Sequence, residues 1–118
     1  MLTSTATMER SLRDDEGVFR LETVRNPGGH STLRVFSELD MSTRAEFVHS
    51  LDRLASTSDQ VVVDLSEASF MYSGVANAII DATYVHPGKI VVFAPARSMR
   101  MVLDVLGAGE LLIDTFRS

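Results

Sequence analysis

Few residues of this 118-residue chain have the type and spacing that chemistry needs. Ser73 is the sharpest candidate. It stands in "FMYSGVANAII", Phe70 to Ile80, where an apolar strand pattern gives way to an apolar helical one. A serine at such a junction has two uses. Its hydroxyl can cap the orphan amides of the helix. Or it can be phosphorylated, because a helix N-terminus offers free N–H groups and a partial positive charge to an anion. Gly74 leaves the hydroxyl uncrowded, and the apolar flank from Ala76 to Ile80 offers surface to a partner. A phosphate adds about −1.5 to −2 charges. A hundredfold loss of affinity needs only about 2.7 kcal/mol. Burying an uncompensated phosphate in an interface costs more than that. One hydroxyl can therefore switch one interface without refolding the domain.

The other candidates are weaker. Asp64 is predicted at the end of a parallel strand, where open α/β sheets hold ligands. Glu38 and Asp40 close the preceding strand pattern, "TLRVFSELD". A phospho-accepting receiver domain uses carboxylates in such places together with a lysine that ends a late strand. Here Lys89 begins its strand, and the β-α repeats are too few. The favoured role for Asp64 is to accept hydrogen bonds from backbone amides in a turn before Ser66. His30, His49 and His86 lack metal-ligand spacing. The chain has no cysteine, which excludes disulfides and thiolate chemistry. "GAGE", Gly107 to Glu110, reads as a helix terminator rather than a phosphate loop. With no nucleophile-base pair and no metal cluster, the chain is predicted to be no enzyme and to need no cofactor.

These residues must be positioned by a small set of elements. "GVFRLETV" alternates, with Phe19, Leu21 and Thr23 on one face and Val18, Arg20 and Glu22 on the other, so a half-exposed strand is predicted. "NPGGHS" is a turn by composition, and the next alternating run, with Leu33 and Val35 on one face, completes an antiparallel hairpin. Phe47, Val48, Leu51, Leu54 and Ala55 make one helical stripe. Thr43 and Glu46 have capping-box spacing before it. "QVVVDL", Gln60 to Leu65, is a short strand buried on both faces. Val75, Ala76, Ile79, Ile80 and Ala82 form a second stripe, stopped by Pro87 and Gly88. "IVVFA" is another buried strand. A third helix spans about Ala96 to Leu106, with Met99, Val102, Leu103 and Leu106 on one face. "LLIDTF" fits a last strand or a short helix. Residues 1–16 read as a flexible arm, and residues 17–118 as the domain.

Composition bounds the partners. Apolar residues are 45%, charged residues 23% and the net charge is −5. That balance is globular and argues against a nucleic-acid face or insertion into an anionic membrane. No apolar run approaches the roughly 18 residues of a membrane span. The first residues lack a secretory apolar core, so the cytoplasm is the predicted compartment.

Three patches together resemble the STAS domain, and within it the bacterial anti-sigma factor antagonists. "SELD", Ser37 to Asp40, is similar to the family's Gly-Glu-Leu-Asp. "VVVDLSEASFMYSG", Val61 to Gly74, is similar to its apolar strand, Asp-Leu-Ser, and acceptor loop. "GKIVVFAPARSMRMVLDVLGAGELLI", Gly88 to Ile113, is similar to a later strand and the helix after it. The resemblance spans residues 17 to 116. It implies an α/β fold with a four- to five-stranded mixed sheet, an antiparallel N-terminal hairpin, a parallel core and about four helices packed against the sheet. It also implies a binding partner, an anti-sigma factor that is often a serine kinase. Phosphorylation of the loop serine dissolves the complex, and a phosphatase resets it. In ungapped register Ser73 is the phosphoacceptor. The partner-binding positions implied are Glu38, Asp40, Phe70, Met71, Tyr72, Ser73, Gly74, Val75, Ala76 and Asn77. The loop departs from the family's Asp-Ser-Ser-Gly-Leu-Gly: Tyr72 replaces the acidic residue, Gly74 the second serine, and Val75 and Asn77 stand where glycine and glycine are usual. The alternative is a scaffold subunit of a stress-signalling or transporter complex with no phosphoswitch.

Overall fold

The computed structural model of the chain describes residues 7–13, 19–26, 28–39 and 41–114, and of residues 7–13, 19, 20, 37 and 70 the backbone alone. Six strands form one sheet in chain order: β1 (Thr7–Arg13), β2 (Phe19–Arg25), β3 (His30–Leu39), β4 (Gln60–Met71), β5 (Ile90–Phe93) and β6 (Leu112–Ile113). β1 with β2 and β2 with β3 pair antiparallel, and β3 through β6 pair parallel. Three α-helices make the crossovers: α1 (Arg44–Thr57), α2 (Ser73–Val85) and α3 (Arg97–Val105). Each crossover steps to the adjacent strand in the same direction. Right-handed connections of that kind place all three helices on one face. A single core joins that face, with Leu33, Val35, Val61, Val63 and Val92 against Phe47, Leu51, Leu54, Ile79 and Leu103.

The mixed α/β sheet with its antiparallel hairpin and parallel core is as predicted, with differences at its ends. Among the described residues, three α-helices and one 3₁₀ turn, Gly109–Leu111, stand where about four helices are expected. "LLIDTF" resolves into that turn followed by the two-residue β6, which pairs with Val92 and Phe93. No element is predicted before Gly17, yet Thr7–Arg13 forms β1, paired from Thr7↔Arg25 to Arg13↔Phe19. Its sequence, TMERSLR, has only Met8 and Leu12 as apolar residues, so periodicity gave little signal. β2 is thereby interior, which buries Leu21, Glu22 and Thr23.

The larger difference is β4. The strand predicted to stop at Leu65 continues to Met71. Its ladder with β3 shifts register twice, between Arg34 and Phe36 and between Ser37 and Glu38. Each shift places one extra residue on β4, the geometry of a β-bulge. Each extra residue also displaces the inward face. Buried positions recur as Val61, Val63, Leu65, then Ala68, then Met71. The spacing of two becomes a spacing of three, which alternation does not recognise as a strand.

Asp64 is consequently in the middle of β4, not at its end. It sits on the sheet face away from the core. There Glu22, Arg34 and Asp64 stand side by side on three adjacent strands. Arg34 Nε donates to Asp64 Oδ2 at 3.1 Å, and Arg34 Nη1 to Glu22 Oε1 at 3.3 Å. Asp64 Oδ1 accepts the Ser66 N–H at 3.0 Å, an amide at the first register shift. The backbone role assigned to Asp64 is therefore present, inside a bulged strand rather than a turn.

The hairpin turn shows where the chain needs a glycine. Gly29 has φ +84°, the left-handed region. Its carbonyl accepts the Asp59 and Gln60 N–H groups, so the turn is docked on the α1–β4 junction. A Cβ on Gly29 would also overlap the Asp59 carboxylate, with Cγ 2.7 Å away. Gly107 has φ +86° with nothing within 4 Å of its would-be Cβ. Gly107→Ala should cost only the left-handed strain, about 1–2 kcal/mol. Gly29→Ala should cost measurably more, because strain and collision add. Urea denaturation of the two variants checks this; equal losses would mean that the docking of the turn carries no energy.

Candidate functional site

Ser73 is not the residue that begins α2 by capping it. That position is held by Tyr72, whose φ of −64° and ψ of 139° are extended. The Tyr72 N–H donates to the Leu39 carbonyl at 2.7 Å, tying the end of β4 to the end of β3. The Tyr72 carbonyl accepts the Val75 N–H at 2.8 Å and the Ala76 N–H at 3.4 Å, the opening bonds of the helix. Among the described residues, no side chain caps α2. Ser73 is the first helical residue, exposed, with no hydrogen bond to its hydroxyl among the described residues. Of the two uses the sequence left open, the capping one is absent.

The other candidate positions divide by burial. Glu38 is exposed at the end of β3, in register with Phe70. Tyr72 is half-buried, Gly74 likewise, and Asn77 is exposed one helical turn on from Ser73. Val75 and Ala76 are fully buried and Met71 nearly so. These three fall on the inward face of their elements and support the loop from beneath. Asp40 lies outside the described residues, as does the side chain of Phe70. Arg44, from the first turn of α1, reaches across to donate from Nε to the Gly74 carbonyl at 3.3 Å.

A groove missed by the sequence reading opens beside Ser73. It has a volume of about 450 Å³ and is lined by Ser73, Ser98, Met101, Val102, Val105 and Leu106. Ser73 and Ser98 stand at the first turns of α2 and α3, and the rest is apolar. Met101 is 57% exposed and Val105 is 81% exposed, large apolar side chains left in solvent. A signal was available. Met101 and Val105 lie off the stripe Met99, Val102 and Leu103 that α3 buries or half-buries, so they had no place in the core. Leu106, predicted on the buried stripe, is 37% exposed because α3 ends at Val105.

No conventional chemistry accompanies the groove. Among the described residues, no cluster of three or more His, Asp or Glu side chains could hold a metal ion. His86 is engaged elsewhere, with Nε2 2.8 Å from Asp52 Oδ1 between α2 and α1. Among the described residues no helix is long and apolar enough to cross a membrane.

Comparison with known proteins fits this geometry. The sequence profile of the STAS domain matches residues 21–118. The chain belongs to the STAS domain family. Solved STAS-like structures share its fold. One is the anti-sigma factor antagonist SpoIIAA in its unphosphorylated form, 17% identical over 84% of this chain and 89% of that one, with a TM-score of 0.68. Another is the Bacillus cell fate determinant SpoIIAA in its phosphorylated form, 22% identical over 84% and 92%, with a TM-score of 0.61. A third is an anti-sigma factor antagonist from Mycobacterium paratuberculosis, 22% identical over 92% and 87%, with a TM-score of 0.65. At these identities the likeness is one of fold. Among curated proteins, no sequence matches the chain.

The position of Ser73 in this STAS domain makes a prediction. If its hydroxyl bonds nothing, Ser73→Ala should change unfolding free energy by less than about 0.5 kcal/mol. A capping serine would cost about 1 kcal/mol. Thermal or urea unfolding separates the two.

Proposed function

We propose that this STAS domain is an anti-sigma factor antagonist. It binds an anti-sigma factor that is also a serine kinase, releases the sigma factor, and is switched off when Ser73 is phosphorylated. The carrying observation is the placement of Ser73: an exposed hydroxyl with no partner among the described residues, at the mouth of an apolar groove. Two of the solved neighbours are anti-sigma factor antagonists, and SpoIIAA has a phosphorylated form. On this reading the chain is a substrate and a binding partner and not itself an enzyme.

The chemistry of the switch follows from the location. Ser73 begins α2, whose first turn has no acidic residue. A phosphate there meets the positive end of the helix and its amides, so the fold tolerates it. The partner surface does not. An interface closed over Met101, Val105 and Leu106 would have to desolvate about −1.5 to −2 charges at its edge. Charge burial of that kind costs more than the roughly 2.7 kcal/mol that lowers affinity a hundredfold. The net charge of −5 fits a partner with a basic rim and makes a nucleic acid an unsuitable one. A phosphatase would restore the binding form.

The test is binding to anti-sigma factor serine kinases by isothermal titration. Ser73→Ala should bind as tightly as wild type. Ser73→Asp should bind at least tenfold more weakly. Equal affinity for Ser73→Asp and wild type would end the phosphoswitch reading and favour the scaffold role.

A further inference from the structure

The residues on either side of Ser73 touch each other. Gly74 is in the first turn of α2 with ordinary helical backbone, so its small size is not required by φ. Space requires it. A Cβ on Gly74 would overlap the Tyr72 ring, with Cδ2 and Cζ both 3.0 Å away. The ring folds back over Gly74 and packs partly against the core. It is not among the residues that line the groove, whereas Ser73 is. Any side chain at position 74 forces the ring to move, because the helix backbone is fixed by the Tyr72 carbonyl bonds to Val75 and Ala76. A displaced ring no longer covers position 74, and that changes what flanks Ser73.

We propose that Tyr72 and Gly74 are one interlocked unit that positions Ser73 for its partner. Glycine is needed at 74 because the ring occupies the place of its side chain. The ring, held against the helix, keeps both the serine hydroxyl and the Met101–Val105 groove open. Tyr72 is thus a positioning residue, and the two departures from the family loop, at 72 and 74, are a single change. A partner must accept a half-buried aromatic ring beside the acceptor, so its facing surface is apolar there rather than a lysine or arginine that would pair with a carboxylate. The proposal rests on Ser73 being the partner switch, and its two halves are tested separately.

The first test needs no partner. The chain has no tryptophan and two tyrosines. Tyr84→Phe, at a position 79% exposed at the far end of α2, leaves Tyr72 as the sole emitter. Acrylamide quenching of its fluorescence should rise about twofold when Gly74→Ala is added, with the far-UV spectrum unchanged. Unchanged quenching would overturn the interlock. Alanine is the better helix former, so a simple helix effect runs the other way. The second test is a double-mutant cycle of affinity for an anti-sigma factor kinase that binds the wild-type chain. Gly74→Ala should weaken binding at least tenfold when residue 72 is tyrosine and less than about threefold in the Tyr72→Ala background, where nothing is displaced. Equal losses in the two backgrounds would overturn the positioning role. If no kinase binds wild type, the switch reading and with it the positioning role fall, and quenching still decides the interlock.

Discussion

The peptide group of Tyr72 joins three elements at one point. Its N–H bonds to the end of β3, and its carbonyl opens α2. Residue 72 itself ends the path of β4. Because the backbone does the work of a cap, the next side chain has no structural duty. Ser73 is left outside with its hydroxyl uncommitted, while Val75 and Ala76, two and three residues on, are driven into the core. On the proposed reading, a phosphate on Ser73 would replace no hydrogen bond of its hydroxyl among the described residues and would meet the positive end of α2.

The joint exists only because β4 arrives in the right phase. Two register shifts against β3 lengthen the strand and turn its inward positions from every second to every third residue. Met71 therefore points into the core, and Tyr72 falls opposite the Leu39 carbonyl. With only one of the two shifts, alternation would reverse the faces of Met71 and Tyr72, since the period of a strand is two. Asp64 belongs to this arrangement. It binds the Ser66 amide at the first shift and the Arg34 guanidinium on the neighbouring strand. That occupation, rather than its place in the chain, removes it from candidacy as a phosphoacceptor.

What the sequence made legible follows the same physics. Regular patterns were readable: the stripe Phe47, Leu51, Leu54 and Ala55 of α1, the valine runs of β4 and β5, and the Pro87–Gly88 stop. The serine at position 73 was readable from its junction, and the STAS resemblance placed it in a motif. Irregularity was not readable. Bulges in β4 looked like a loop, and β1 lacked an apolar pattern altogether. Burial within the candidate site was legible, because Val75 and Ala76 already lay on the apolar stripe of α2, although the resemblance counted them among partner-binding positions. The groove was half visible. Met101 and Val105 were surplus apolar residues on α3, but only the packing of α3 beside α2 brings them next to Ser73.

On the proposed reading Ser73, freed by the backbone of Tyr72, is the residue that a partner kinase modifies. Phosphosite mapping by mass spectrometry, after incubation of the chain with ATP and an anti-sigma factor serine kinase that binds it, tests this most directly. A single phosphate on Ser73 is expected, and none on the Ser73→Ala variant. A phosphate mapped to Ser98 or to the residues before β2, or no phosphate on a chain the kinase does bind, would contradict it.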